Sequence, residues 1–474
     1  RILIKFADKL YNYSSMRNKI YSLIAMLTMA LALTSCFSEN EKKQETRPYE
    51  TAIVAFSLQE VKFPLDTITK AGKDTTVIAK YKKLNKHRFY IDHNNGTIYN
   101  PDSLPYGARV KAVIASIATK SGGILYFKSL TDDKETLYNQ KDSIDFSKPR
   151  TVTVYSQDGR FRRTYTISVN VHKQRGNEFT WKAFNDNANF ALFENAKMVN
   201  HDGKIYVFGK KGSQTLGYFT SEEDGNTWTQ LPATFAAEAY KSVIVSQGAI
   251  YLLDNGQIKR TTDGKTWETT GTASLQQLVA ASKTELYALS NSKTLMVSKD
   301  NGANWTTEAL DTDAAKLPTE GVGYMCQPLA ANSEIGRVVL FGTNATSNHA
   351  IIWNKLVDYT NAATNYKWSF VESGLSETFQ LPKYKFLTVL HYNNKAMAFG
   401  VTNDGKFAQI KESSNSGIVW TANKTYVYPA ATPSGYFAAT ADSQNYIWIV
   451  SGSKVWKGRM NSMGWKKPQT DFTE

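Results

Sequence analysis

The chain has 474 residues, 42% hydrophobic and 21% charged, with a mean hydropathy of −0.40, which excludes a polytopic membrane protein and a largely disordered chain. At roughly 150 residues per domain, this length holds two or three domains, or one small domain beside a large all-β one. A 12% aromatic fraction with 29 Gly and 12 Pro predicts sheets and tight turns, and a formal charge of +14 raises the question of nucleic acid.

Residues 1–15 fit no part of a signal peptide and are expected not to belong to the native product. Residues 16–35 read as an export signal. Arg17 and Lys19 form its basic start, and Ile20 to Leu33 an apolar stretch shorter than the about 20 residues of a spanning helix. Leu33-Thr34-Ser35-Cys36 resembles the bacterial lipobox, which implies that Cys36 is lipidated and becomes the first residue of the mature chain. Residues 1–35 hold five Lys/Arg and one Asp, so their loss lowers the charge from +14 to +10. Of the 2 cysteines, Cys326 then remains alone, without an intramolecular disulfide, and is expected inside a buried strand. Residues 36–48 are a polar tether. Its Glu39 and Glu41 loosely resemble the acidic stretch that sends some Bacteroidota lipoproteins to the outer face of the outer membrane. That implies an envelope protein anchored to the outer membrane by its lipid, with the periplasmic and outward faces both open to it.

From 49 to 173, β-prone runs recur at Thr51 to Leu58, Thr76 to Tyr81, Arg88 to Asp92, Arg109 to Ser116, Gly123 to Phe127, Arg150 to Ser156 and Arg163 to Val171. This density predicts an Ig-like β-sandwich acting as a spacer. Asp158-Gly159 predicts a tight hairpin with both central residues at positive φ, and Asn95-Gly96 a second turn. Asp66-Thr67-Ile68, Asp74-Thr75-Thr76, Asp102-Ser103-Leu104 and Asp142-Ser143-Ile144 resemble the O-glycosylation sequon of exported Bacteroidota proteins.

Residues 178–474 contain a repeat. Six hairpin strands recur 36 to 58 residues apart: Lys204 to Gly209, Ala249 to Leu253, Glu285 to Leu289, Arg337 to Gly342, Lys395 to Gly400 and Tyr446 to Val450. Each follows a short apolar strand and precedes a tryptophan: Trp228, Trp267, Trp305, Trp368, Trp420 and Trp465. This predicts a six-bladed β-propeller of four-stranded sheets. Trp181 either closes the ring as an extra strand of the last blade or begins a seventh blade; six is the preferred count.

Ser298 to Trp305 resembles the Asp-box, or BNR repeat, through Ser298, Asp300, Gly302 and Trp305. Ser221 to Trp228 keeps Ser221, Gly225 and Trp228 with Glu223 at the acidic position. Ser413 to Trp420 keeps Ser413, Gly417 and Trp420 with Asn415 there. Arg260 to Trp267 keeps Gly264, Thr266 and Trp267, while the copies ending at Trp368 and Trp465 are degenerate. In proteins with this box it is structural: a side-chain oxygen gathers backbone N–H groups, Gly tolerates positive φ, and Trp packs between sheets.

Sialidases share such boxes and need an arginine triad and an Arg-Ile-Pro. Here the propeller has Arg260, Arg337 and Arg459 after Arg175, and Arg-Ile-Pro is absent. Another glycosidase would need two carboxylates at a set separation, and Glu285, Glu334, Asp254 and Asp404 are the acids near repeat strands. His201 and His391 occupy equivalent turn positions, and Tyr218, Tyr384, Tyr392 and Tyr436 are aromatics that could stack on sugars or fill blade interfaces. Scattered lysines without a basic helix or phosphate loop argue against nucleic acid. No cofactor and no metal site are expected, since the chain lacks paired-cysteine and histidine-rich motifs. The whole arrangement, including Ile98 to Gly107, resembles uncharacterised Bacteroidota surface lipoproteins with an Ig-like domain and an Asp-box propeller. The expectation is a propeller that binds a glycan or protein partner without catalysis. The alternative is a glycoside-acting enzyme with a sialidase-like propeller. The ligand and the oligomeric state stay open.

Overall fold

The computed structural model describes residues 49–81, 87–361, 363–364, 366–372 and 376–465. The expectations for residues 1–15, the signal 16–35, Cys36 and the tether 36–48 therefore lie outside the described residues. The chain divides into two compact units at Asn170 and Val171, with Pro105–Gly107 grouped with the second.

The first unit is a β-sandwich. Ile53–Leu58, Val113–Thr119 and Ser143–Ile144 make one sheet; the other contains six strands, Tyr90–Asp92, Thr97–Tyr99, Arg162–Ser168, Arg150–Tyr155, Ile124–Lys128 and Glu135–Leu137 in spatial order. Alternation sets the buried faces: Val113, Ala115 and Ile117 point inward from one sheet, Leu125 and Phe127 from the other. The Tyr138 hydroxyl donates to the Ala115 carbonyl, 2.7 Å away, and ties the sheets together. Two expectations change. Val61–Ile68 is a strand paired with Asp74–Tyr81 in a separate hairpin, although Pro64 and its polar end hide it from a periodicity reading. At Asp158-Gly159, only Gly159 takes positive φ (70°). The loop is wider than a two-residue turn, closed by Ser156 N–H to Phe161 carbonyl, with Asp158 Oδ1 accepting from Arg160 N–H. Thr67 and Ser143, two of the sequon hydroxyl residues, are exposed.

The second unit is a six-bladed β-propeller, all-β like the first. Each blade is an antiparallel four-stranded sheet, and every predicted hairpin strand is the second strand of its blade: Lys204–Lys211, Ala249–Asp254, Leu286–Ser290, Asn332–Thr343, Lys395–Val401 and Ile447–Ser451. These strands are apolar on both faces because both are covered by neighbouring blades, which explains runs such as Ile205, Tyr206, Val207 and Phe208, all at 0% exposure. Each of six apolar clusters joins two adjacent blades. The last of them, with Met198 and Val207 of blade 1 against Trp448 and Val450 of blade 6, closes the circle.

Closure uses the early tryptophan. Phe179–Ala183 pairs antiparallel with Lys454–Met460 as the outer strand of blade 6, placing Trp181 opposite Gly458. A Cβ on Gly458 would lie 2.4 Å from the indole, and the Trp181 N–H donates to the Val427 carbonyl at 2.7 Å. Trp465, expected to end the sixth repeat like the other tryptophans, instead stacks on His172 with ring centroids 3.5 Å apart. The outer strand of the last blade comes from the start of the unit, so that position of the blade is already filled when the chain reaches Trp465.

Candidate functional site

The predicted turns fall between the third and fourth strands, and four share one geometry. In blade 3, Ser298 Oγ donates to Asp300 Oδ1 and accepts the Gly302 N–H, Asp300 Oδ1 accepts the Asn304 N–H, and the Trp305 indole donates to the Gly302 carbonyl. In blade 5, Ser413, Asn415, Gly417 and Trp420 repeat every one of these contacts, so an amide oxygen serves as well as a carboxylate. In blade 2, Thr261 and Asp263 fill the hydroxyl and acid roles around Gly264 and Trp267, a match hidden by a turn one residue shorter. Backbone N–H groups from Thr266 and Lys265 hold the Asp263 carboxyl down at about 2.

Blade 1 departs from the sequence reading. The hydroxyl that accepts the Gly225 N–H belongs to Thr220, not Ser221, and the gathering acid is Asp224, not Glu223. Trp228 still donates to the Gly225 carbonyl. The additional residues reach the last blade: Glu222 accepts from Ser443, and Gln444 donates to Glu223 at 2.5 Å.

These turns face the preceding blade rather than a ligand. A Cβ on Gly264 would lie 2.6 Å from Tyr206, and one on Gly302 would lie 2.7 Å from Ile258. His201 belongs to the same system, its Nε2 2.9 Å from the Thr262 carbonyl at the turn of the next blade.

The innermost strands of the six blades surround an axial cavity of about 960 Å³, within the upper range for small-ligand sites. From blade 1 it receives Lys197, from blade 3 Gln276 and Gln277, and from blade 5 Tyr384, Thr388 and His391. The Lys197 ammonium donates to the Lys241 carbonyl at 3.1 Å, and the Gln277 amide donates to the same oxygen at 3.0 Å. Being enclosed by protein disfavours its charge and lowers Lys197 to about 8. The same desolvation raises Tyr384 to about 12 and lowers His391, so both stay neutral at physiological pH. Two acids line the mouth, and each is paired. Glu238 lies 2.5 Å from Lys241 and 2.9 Å from Lys210, which hold its carboxyl low; Glu320 lies 3.9 Å from Lys383.

The residues weighed for catalysis do not converge on the cavity. Arg260 pairs with Glu268 in an outer part of blade 2, and Arg337 and Arg459 sit on the second strand of blade 4 and the third of blade 6. Glu285 is buried in an ion cluster, Asp254 accepts the Ala236 N–H, Asp404 pairs with Lys406, and Glu334 sits at the start of the second strand of blade 4, its backbone N–H donating to Asn332. Of the tyrosines, Tyr218, Tyr392 and Tyr436 are buried between blades. Cys326 lies on the inner strand Glu320–Leu329, half-buried, 3.5 Å from the Tyr359 hydroxyl; burial pushes its thiol up and leaves it protonated. Among the described residues there is no group of three His, Cys, Asp or Glu positioned to hold a metal, and no helix is long and apolar enough to cross a membrane. Sequence reasoning passed over Lys197 and the glutamines, because nothing in an inner strand's alternation distinguishes the channel from a blade face.

The family comparison matches this architecture. Residues 175–468 match the DUF6242 beta propeller domain, and residues 56–169 match the DUF6242 N-terminal domain, a domain of unknown function. The chain belongs to the DUF6242 family. No curated protein matches it in sequence. Solved structures similar to it include a quinonprotein alcohol dehydrogenase-like protein from Bacteroides thetaiotaomicron, 11% identical with a TM-score of 0.30, covering 76% of this chain and 95% of that one. YCF48 from Cyanidioschyzon merolae is 13% identical with a TM-score of 0.31, covering 59% and 98%. A gluconolactonase from Xanthomonas campestris is 13% identical with a TM-score of 0.34, covering 56% and 88%. Similarity this low leaves the function of this DUF6242 propeller to its own geometry.

Proposed function

We propose that this protein is a lipid-anchored envelope protein whose propeller binds a glycan or a protein partner in its axial cavity without catalysing a reaction. Cys36 carries the anchor in this reading, the N-terminal sandwich is an Ig-like spacer, and the tryptophan turns are Asp-boxes that join blades. The observation that carries the binding role is the state of the cavity's acids. Glycoside hydrolysis needs one carboxyl kept protonated and a second one free to act across the scissile bond. Glu238 and Glu320 are instead both engaged by lysines at the rim. The wall between them offers amides, hydroxyls and aromatic rings, groups that hold a ligand and fix its orientation.

A glycan array probed with the soluble form beginning at Ser38, beside a hydrolysis screen on the same glycans, tests this. Retention of a glycan without new reducing ends is the expected result. New reducing ends overturn the non-catalytic reading in favour of a glycoside-acting enzyme. The absence of any glycan signal transfers the binding role to a protein partner.

A further inference from the structure

Lys197 differs from every other cation on the cavity wall. Its Nζ makes one hydrogen bond, to the Lys241 carbonyl, and an ammonium has three protons to donate. Lys241 is neutralised by Glu238 at 2.5 Å, and Lys385 is exposed at the mouth over the Phe386 ring. The acids facing the cavity, Glu238 and Glu320, are already paired with lysines. The other titratable groups on the wall are neutral at physiological pH: burial raises the Tyr240, Tyr324 and Tyr384 phenols and the Cys326 thiol, and lowers His391. No neighbouring charge offsets the burial of Lys197. Its ammonium is therefore a half-buried positive charge, with donors to spare, on the wall of a cavity of about 960 Å³.

We propose that Lys197 is the anchor of an anion subsite in the axial cavity, receiving a singly charged carboxylate or sulfate ester on a saccharide. This rests on the binding role proposed above and names its ligand class. A half-buried cation keeps only part of its hydration, and a bound anion supplies it a counter-charge through charge-assisted hydrogen bonds of about 2.7 to 2.9 Å. A single ammonium balances one negative charge, so a monoanion fits where a phosphate dianion would leave charge unmatched. The bond that Gln277 shares with Lys197 on the Lys241 carbonyl sets an amide beside the ammonium, suited to the hydroxyls flanking an acidic group on a sugar ring. Phe386 adds an aromatic face for the ring's C–H surface.

The test is calorimetry on the mature chain from Cys36 in detergent. The probes are galacturonate and its methyl ester, then galactose 6-sulfate and galactose. The acidic member of one pair is expected to bind about tenfold more tightly than its neutral counterpart, and the responding pair distinguishes carboxylate from sulfate. Lys197→Met removes the difference and Lys197→Arg keeps most of it. Equal binding of acid and neutral sugar overturns the anion subsite while leaving glycan binding intact. Silence from all four probes also overturns it, and leaves a protein partner standing. A second measurement covers a variant that fails to fold: trinitrophenylation of the neutral Lys197 amine by trinitrobenzenesulfonate in the unaltered protein, with sulfite as the leaving group, followed by peptide mass mapping. The responding acid is expected to slow this modification, and an unchanged rate overturns the proposal.

Discussion

At the scale of single residues, the tryptophan turns show how one geometry survives changes of sequence. The acceptor is a carboxylate in Asp224, Asp263 and Asp300 and an amide in Asn415, while the hydroxyl is threonine in blades 1 and 2 and serine in blades 3 and 5. What does not vary is the glycine followed three residues later by tryptophan. Gly302 sits at φ 90°, and a Cβ there would press on Ile258 of the neighbouring blade at 2.7 Å. Gly302→Ala therefore combines backbone strain with overpacking. It is expected to lower stability by about 1 to 3 kcal/mol, read as a shift of the urea midpoint without a change in its slope. An unchanged midpoint would show that the turn does not constrain the blade interface.

Between elements, apolar contact is supplemented by buried charge, most fully enclosed between blades 3 and 4. Lys355, on the third strand of blade 4, lies 2.5 Å from Glu308 and 3.6 Å from Glu285 of blade 3. Tyr287 donates to Glu285, and Lys299 pairs with it at 3.2 Å. The Lys355 and Glu308 side chains are 1% and 0% exposed, so removing one charge strands the others in a poorly solvating interior. Lys355→Met is expected to cost about 3 to 5 kcal/mol, more than the same change at the exposed Lys265. Equal effects at both positions, in thermal unfolding, would mean that water reaches the cluster. Nothing in residues 285, 308 and 355 taken singly announces this arrangement, because their separations in the chain carry no periodicity.

For the whole molecule, the ring is closed by a strand from the beginning of the propeller unit, so its first and last parts must meet before the sixth blade is complete. Such closure couples the blades into one circular stack with an axial cavity. On the proposed reading, Cys36 ties this body to a membrane by its lipid. Cys36→Ala is expected to move the protein from the detergent phase to the aqueous phase in detergent partitioning and to abolish labelling by a fatty-acid analogue. Retention of either property would place the anchor elsewhere.

The sequence by itself determined the all-β class, the propeller, and the second strand of each of its blades. Those strands are covered on both faces, so their apolar runs stand out whatever lies around them. It showed the tryptophan turns because they are built from contacts a few residues apart. It misread the turn of blade 1, where hydrogen bonds rather than alignment reveal that Thr220 and Asp224 do the work. Only the tertiary structure decided that Trp181 completes blade 6 and that Trp465 does not end a repeat. It alone decided which inner-strand side chains face the axis. Lys197 gains its meaning from the other five blades, whose inner segments, far along the chain, complete the cavity that it lines.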